Sequence, residues 1–323
     1  MRAPFQLDLH VPNFNWPDVP PEALFDRLAD VALAAEDSGF SSLSLMDHLH
    51  QIPGVGPAEN WMFDGHTMLA GLAARTSRIN LGLLVGGVTY RNPALVAKIV
   101  TTIDVISSGR AVLGIGAGWF EGEHVAYGFD FPPLKERMER LEEALQITRA
   151  MFTQEQATFA GKHYRVEGAY NNPKPIRGDI PILVGGSGER KTLRYVARYA
   201  DGSNFFGDVE RVKHLLGVLE GHCQDAGRDP AEITKTRMAT VYIARTHEEA
   251  HRKAEAFVAR APDPDRAWAQ AFVGDPGEVA EQVQTYIDAG LDGVTVVLAD
   301  VHDPETVALA GETLGAVVGT RTV

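Results

Sequence analysis

The sequence predicts an α/β fold, a closed (β/α)8 TIM barrel, on three observations. A strand-type run followed by a helix-type run recurs eight times along the chain; such alternation builds a parallel sheet, and eight repeats favour closure over an open doubly wound sheet. Two glycine-rich runs, Gly114-Ile115-Gly116-Ala117-Gly118 and Gly185-Gly186-Ser187-Gly188, each end a strand-type run and precede a helix-type one. The 323 residues carry no Pro/Ser-rich linker and exceed the roughly 250 typical of such a barrel, so a single domain over 1–323 with inserted segments is expected.

The elements follow in order. Phe5 to Val11 alternates as a first strand, and Pro20-Pro21 opens a helix whose apolar positions Leu24, Leu28, Val31 and Ala35 recur at helical spacing until Gly39. Ser41 to Asp47 is the second strand, and the long loop Leu49 to Met62 carries Pro53, Gly54, Gly56 and Pro57; loops of that length in compact domains are usually functional. Phe63 to Arg75 is helical, Ile79 to Val85 is the third strand, and Pro93 suits the first turn of a helix running to about Ile106. Ala111 to Ile115 is the fourth strand. Trp119 to Pro133 is irregular and aromatic, and Leu134, Met138, Leu141, Leu145, Thr148 and Phe152 then mark one face of a long helix. Thr158 to Val166 reads as an inserted hairpin before the fifth strand, Ile180 to Val184. Helix Glu189 to Tyr199, strand Gly202 to Phe206, helix Val209 to Asp225 and strand Thr236 to Ala244 follow. Helix His247 to Arg260, a Pro-rich break, helix Glu278 to Ala289, strand Gly293 to Leu298 and helix Pro304 to Val318 complete the pattern.

Composition removes several function classes. Asp and Glu outnumber Lys and Arg 43 to 30, a formal net charge of −13 with no basic stripe, which argues against a nucleic-acid partner. No apolar run approaches 18 residues, and Met1 to Phe5 lead into a strand pattern without an apolar signal core, so a cytoplasmic enzyme without a membrane partner is expected. The single Cys223 cannot form an internal disulfide and reads as a packing residue.

In such a barrel the active site lies at the C-terminal ends of the strands. His10, Asn13 and Trp16 follow the first strand; Asp47, His48 and His50 the second; Gly86, Gly87, Thr89 and Tyr90 the third; Gly116 to Glu123 and His124 the fourth. The Gly185 to Gly188 turn, with Arg190 and Lys191 beyond it, offers backbone N–H groups, a helix start and cationic side chains to a phosphate; tight-turn geometry alone also explains the glycines. Gly114-x-Gly116-x-Gly118 lacks the spacing and position of a dinucleotide fingerprint. His48-Leu49-His50 has the form of a paired-histidine metal site, but no histidine lies between Ile180 and Gly207 to complete one, and no metal is expected. His48 is instead a candidate acid or base that Asp47 is placed to orient, or a histidine that only shapes the loop.

Several motifs in series carry a resemblance. Ser44-Leu45-Met46-Asp47-His48, Gly82 to Pro93, Leu113 to Trp119, Asn172-Pro173-Lys174-Pro175 and Pro181-Ile182-Leu183-Val184-Gly185-Gly186 resemble the bacterial luciferase-like monooxygenase superfamily, and within it the branch using the deazaflavin F420. The resemblance spans nearly the whole chain. It implies a luciferase-like barrel with an inserted segment, often a homodimer, that catalyses hydride transfer to or from F420. It further implies that Asp47 and His48 line the ring, with His48 transferring the proton. The end of the third strand, Leu84, Val85 and Gly86, then carries a bulge with a non-prolyl cis peptide behind the ring, and Gly116, Ala117, Gly118, Gly185, Gly186, Ser187 and Gly188 cradle the rest of the cofactor. Sugar-phosphate dehydrogenases of that branch carry a glutamate where this chain has Trp119, which suggests a more hydrophobic substrate and leaves the proton donor unassigned; Glu123, His124 and Tyr127 are near in sequence. Asn13, Trp16 and Trp119 are the expected substrate contacts. The alternatives are an FMN-dependent monooxygenase of the same fold using molecular oxygen, and a non-catalytic cofactor-binding barrel.

Overall fold

The computed structural model describes residues 5–259, 261 and 263–319. Strand β1 (Leu7–Val11) leads to helix α1 (Leu24–Ser38), β2 (Ser42–Leu45) to α2 (Gly65–Arg75), and β3 (Asn80–Leu83) with its continuation β4 (Gly86–Gly87) to α3 (Pro93–Ile106). After β5 (Ala111–Gly116) come α4 (Glu121–Tyr127), α5 (Leu134–Thr153) and a hairpin of β6 (Gln156–Ala160) and β7 (Arg165–Tyr170). The chain continues through β8 (Ile182–Gly185), α6 (Thr192–Tyr199), β9 (Gly202–Phe205), α7 (Val209–Ala226), β10 (Thr234–Ile243), α8 (His247–Val258) and α9 (Pro264–Gln270). It finishes with β11 (Phe272–Gly274), α10 (Pro276–Asp288), β12 (Gly293–Leu298) and α11 (Pro304–Val318).

Eight parallel strands pair in the order β1–β2–β3–β5–β8–β9–β10–β12, and β12 returns to β1 with Leu7 opposite Val294, which closes the barrel. The expected (β/α)8 architecture is therefore the observed one. Leu24, Leu28, Val31 and Ala35 are buried on the barrel-facing stripe of α1, as are Met138, Leu141, Leu145, Thr148 and Phe152 on α5. Caps stop and start the helices locally: Asn92 accepts from Ala94 N with Pro93 in the first turn, and Asp275 and Glu278 form a reciprocal capping box.

The register sets a polar layer inside the barrel. Asp8 stands opposite Ser42 on one side and Thr295 on the other, and His10 opposite Ser44. Ser42 and Ser44 donate to the Asp8 carboxylate at 2.8 and 2.6 Å, Ser44 Oγ meets His10 Nδ1 at 2.9 Å, and Asn204 Nδ2 donates to Thr236 and Thr295. Such buried polar groups are tolerated because they satisfy one another.

Several expectations need correction. The third strand stops at Leu83 rather than Val85, whereas the bulge with a non-prolyl cis peptide lies where it was expected: the Leu84–Val85 peptide is cis, and pairing resumes at Gly86 opposite Ile115. The segment read as irregular contains α4, whose buried residues are Glu123 and His124 rather than apolar ones, so no hydrophobic period announces it. The hairpin is longer than Thr158 to Val166. The sixth helix starts at Thr192, not Glu189: Leu193 N bonds to Gly188 O, and the Glu189 carbonyl is taken by His222 Nε2. Arg190 and Lys191 thus precede the helix. The Pro-rich break holds α9 and β11, the latter pairing with β10 beside the barrel. Arg260, the expected end of α8, and Met1 lie outside the described residues. No described helix is long and apolar enough to cross a membrane.

Candidate active site

At the C-terminal rim of the barrel lies a cavity of about 960 Å³. Its walls include Asp47 and His48 after β2, Leu84, Val85 and Gly86 after β3, Gly116, Ala117, Gly118 and Trp119 after β5, and Gly185, Gly186, Ser187 and Gly188 after β8. All the residues expected to hold a cofactor therefore meet in one place, from Asp47 to Gly188, 141 positions apart. Trp119 joins them, but Asn13 and Trp16 do not. The Asn13 carboxamide accepts from Asn15 N within its own loop, and Trp16 is buried against Phe14 and His302.

The glycines at β5 and β8 have a specific cause. A Cβ on Gly185 would stand 2.5 Å from Val85 Cγ2, and one on Gly116 would stand 3.0 Å from the same methyl. The bulge after β3 drives the Val85 side chain between these two strand ends, and only glycine leaves room for it. Beyond Gly186, Ser187 Oγ is buried and has no hydrogen-bond partner among the described residues, while Arg190 and Lys191 line the same cavity. A buried hydroxyl without a partner costs free energy unless a ligand supplies one, and an anion beside two cations fits it. This observation favours the anion-cradle reading of the turn over one of tight geometry alone. Leu134, Met138, Phe206 and Met238 add apolar side chains to the lining. Leu134, expected on the packed face of α5, is exposed at the first turn of that helix and turns to the cavity.

Asp47 does not orient His48. Its carboxylate takes two 2.8 Å contacts from Arg91 Nη1 and one bond from Gly87 N at 3.2 Å, so it fastens the bulge to the loop after β4. Burial pushes the Asp47 carboxyl up to about 6, with the Arg91 guanidinium opposing the rise. Beneath the bulge, His66 is pushed down to about 4 by burial, the charge of Arg91 adding to the effect.

The partner of His48 is Glu123 on α4, fully buried, with Oε1 2.6 Å from His48 Nδ1. Glu123 also accepts from Leu49 N at 2.8 Å and from the Tyr90 hydroxyl. Burial would raise its carboxyl, but the bonds from His48, Tyr90 and Leu49 outweigh that and hold it below the usual carboxylate range. Burial and the neighbouring Glu123 push the Tyr90 phenol upward, so it stays a donor. Next along α4, His124 stacks on Tyr90 at 4.8 Å and is held at both ring nitrogens, by Phe120 O and Thr89 Oγ1, each at 2.7 Å. Trp119 meets His48 edge to face at 5.5 Å and stacks on Phe120 at 5.2 Å, with more than half of its own surface exposed. Tyr127, the third residue near Trp119 in sequence, donates to Leu49 O instead of facing the cavity. Sequence reasoning named Glu123 without a role, since only the fold brings its carboxylate to His48, 75 residues away.

Comparison with known proteins gives concordant findings. A family model described as luciferase-like monooxygenase matches residues 5–293. An F420-dependent glucose-6-phosphate dehydrogenase of Kineococcus radiotolerans is 32% identical over 297 residues, covering 82% of this chain and 84% of that protein. Among solved structures, the coenzyme F420 dependent tetrahydromethanopterin reductase of Methanopyrus kandleri superposes with a TM-score of 0.77 at 19% identity, covering 99% of this chain and 100% of that one. An EDTA monooxygenase of a Chelativorans species superposes with a TM-score of 0.84 at 15% identity, covering 99% and 95%. Likenesses at that level of identity establish the shared fold.

Proposed function

The chain belongs to the luciferase-like monooxygenase family, and from that premise we propose that it is an F420-dependent oxidoreductase moving a hydride between the deazaflavin and a small, mainly apolar organic substrate. The observation that carries the reading is the single cavity in which the Val85 wedge, His48 and the partnerless Ser187 hydroxyl converge. A relative named for F420 at 32% identity supports the choice of cofactor.

In this reading Val85, braced by Gly116 and Gly185, backs the flat ring, and Ser187 with Arg190 and Lys191 holds an anionic group of the tail. When bound, the deazaflavin supplies hydride transfer with little reactivity toward oxygen, because carbon replaces the reactive flavin nitrogen. The protein's share is position and a proton. His48 exchanges that proton with the substrate, and Trp119, Leu134, Met138 and Phe206 enclose an apolar substrate and exclude water.

Titration with F420 and with FMN, followed by fluorescence, tests this. F420 is expected to bind at least tenfold more tightly than FMN. Ser187→Ala is expected to weaken F420 by about three- to tenfold, the contribution of one hydrogen bond. Tight FMN binding without F420 binding would replace this reading with the oxygen-using monooxygenase, and binding of F420 with turnover unaffected by His48→Ala would remove the proton role from His48.

A further inference from the structure

The hydrogen bonds around Glu123 determine which nitrogen of His48 carries its proton. Glu123 Oε2 receives the Leu49 N–H, a group that can only donate. Glu123 Oε1 receives both the Tyr90 hydroxyl and His48 Nδ1. An ionised carboxylate has only acceptors to offer, so Nδ1 must donate, and a neutral His48 is then the Nδ1–H tautomer. Nε2, on the other edge of the ring, bonds to no protein group among the described residues, and the ring lines the cavity.

We propose that Glu123 is a positioning residue: it fixes His48 in the Nδ1–H tautomer, with the Nε2 lone pair directed to the reacting substrate, and steadies the imidazolium that forms when Nε2 takes a proton. This rests on the assignment of His48 as the proton-transfer group. The anchoring of α4 gives the device its rigidity. His124 is clamped at both nitrogens, and Arg137 donates to Gly118 O in the loop entering α4 and to Pro132 O in the segment leaving it. Tyr90 fills the remaining acceptor capacity on Oε1, so an amide in place of the carboxylate cannot satisfy all three partners while His48 keeps its proton on Nδ1. With its nitrogen toward Leu49 it opposes one donor to another. With its nitrogen toward His48 it donates to Nδ1 and drives the ring to the Nε2–H tautomer.

The experiment is 15N NMR of histidine-labelled protein without cofactor, with the His48 signals identified by their loss in His48→Gln. The expected wild-type spectrum has a protonated Nδ1 and an unprotonated Nε2; an Nε2–H tautomer in the wild type would overturn the assignment outright. In Glu123→Gln the expected changes are a shift of His48 toward Nε2–H and a fall in kcat of about 10- to 100-fold, part of what positioned proton transfer supplies, while the F420 dissociation constant moves less than twofold. Retention of the Nδ1–H tautomer together with unchanged kcat in that variant would also overturn it. Because the NMR measurement needs no cofactor, failure of the F420 assignment appears separately, as absence of binding.

Discussion

Replacing Gly185 by alanine tests whether the wedge at the bottom of the cavity is built as described. The added Cβ would lie 2.5 Å from Val85 Cγ2 and 3.1 Å from Cγ1, whereas carbon pairs rest at about 3.5–4.0 Å. Val85 must therefore retreat by about 1 Å, toward the cavity it lines. Overpacking of this kind costs about 1–3 kcal/mol of folding free energy, and a 1 Å misplacement at a reacting centre can cost about 100-fold in rate. Gly185→Ala should lower the urea unfolding free energy by about 1–3 kcal/mol and weaken F420 by about tenfold or more, equivalent to about 1.4 kcal/mol. Adding Val85→Ala removes both methyls from the clash. The double variant should recover a coupling energy of about 1 kcal/mol or more between two contacting sites. Gly185→Ala with unaltered cofactor affinity, or strict additivity in the cycle, would refute the argument that these glycines serve Val85.

Three other perturbations follow from buried charges. Arg91→Met strips Asp47 of its guanidinium while leaving it buried, and should lower stability by about 3–5 kcal/mol in urea unfolding; adding Asp47→Asn should restore most of it, and a loss below about 1 kcal/mol would mean the pair behaves like an exposed one. Inside the barrel, burial pushes the Asp8 carboxyl up to about 6 against bonds from Ser44 and Ser42, and pushes His10 down to about 4 with the charge of His48 adding to it. A carboxyl that keeps its proton longer in the native state loses stability as pH rises from about 4 to 6, whereas an imidazole that sheds its proton early gains stability from about 4 to 6.5. Relative to wild type, Asp8→Asn should gain about 3 kcal/mol across its window and His10→Gln should lose about 3 kcal/mol across its own. Parallel pH profiles of denaturation for wild type and variants would contradict both.

Much of the site was legible because the barrel makes position along the chain informative. The residue that follows a strand stands on the rim, so Asp47, His48, Val85, Gly116 and Ser187 were identifiable from strand patterns and motifs alone. Asn13 and Trp16 followed a strand too and yet do not line the cavity, since a loop can fold its polar groups back on itself or bury an aromatic in the core. α4 was missed because a helix that buries Glu123 and His124 shows no apolar period. The packing constraint on Gly116 and Gly185 was not legible for a similar reason: a requirement set by a Val85 methyl from a neighbouring strand end has no local signature.

Apolar periodicity and turn chemistry are local, repeated eight times, and so the sequence by itself determined the (β/α)8 barrel and which strand ends would form its rim. Only the tertiary structure decided who holds whom: that Asp47 pairs with Arg91 and leaves His48 to Glu123, and that Ser187 finds no partner among the described residues. Those pairings depend on distances of a few ångströms between side chains from different strands and loops, and a one-dimensional pattern fixes the order of such segments but not the gaps between them.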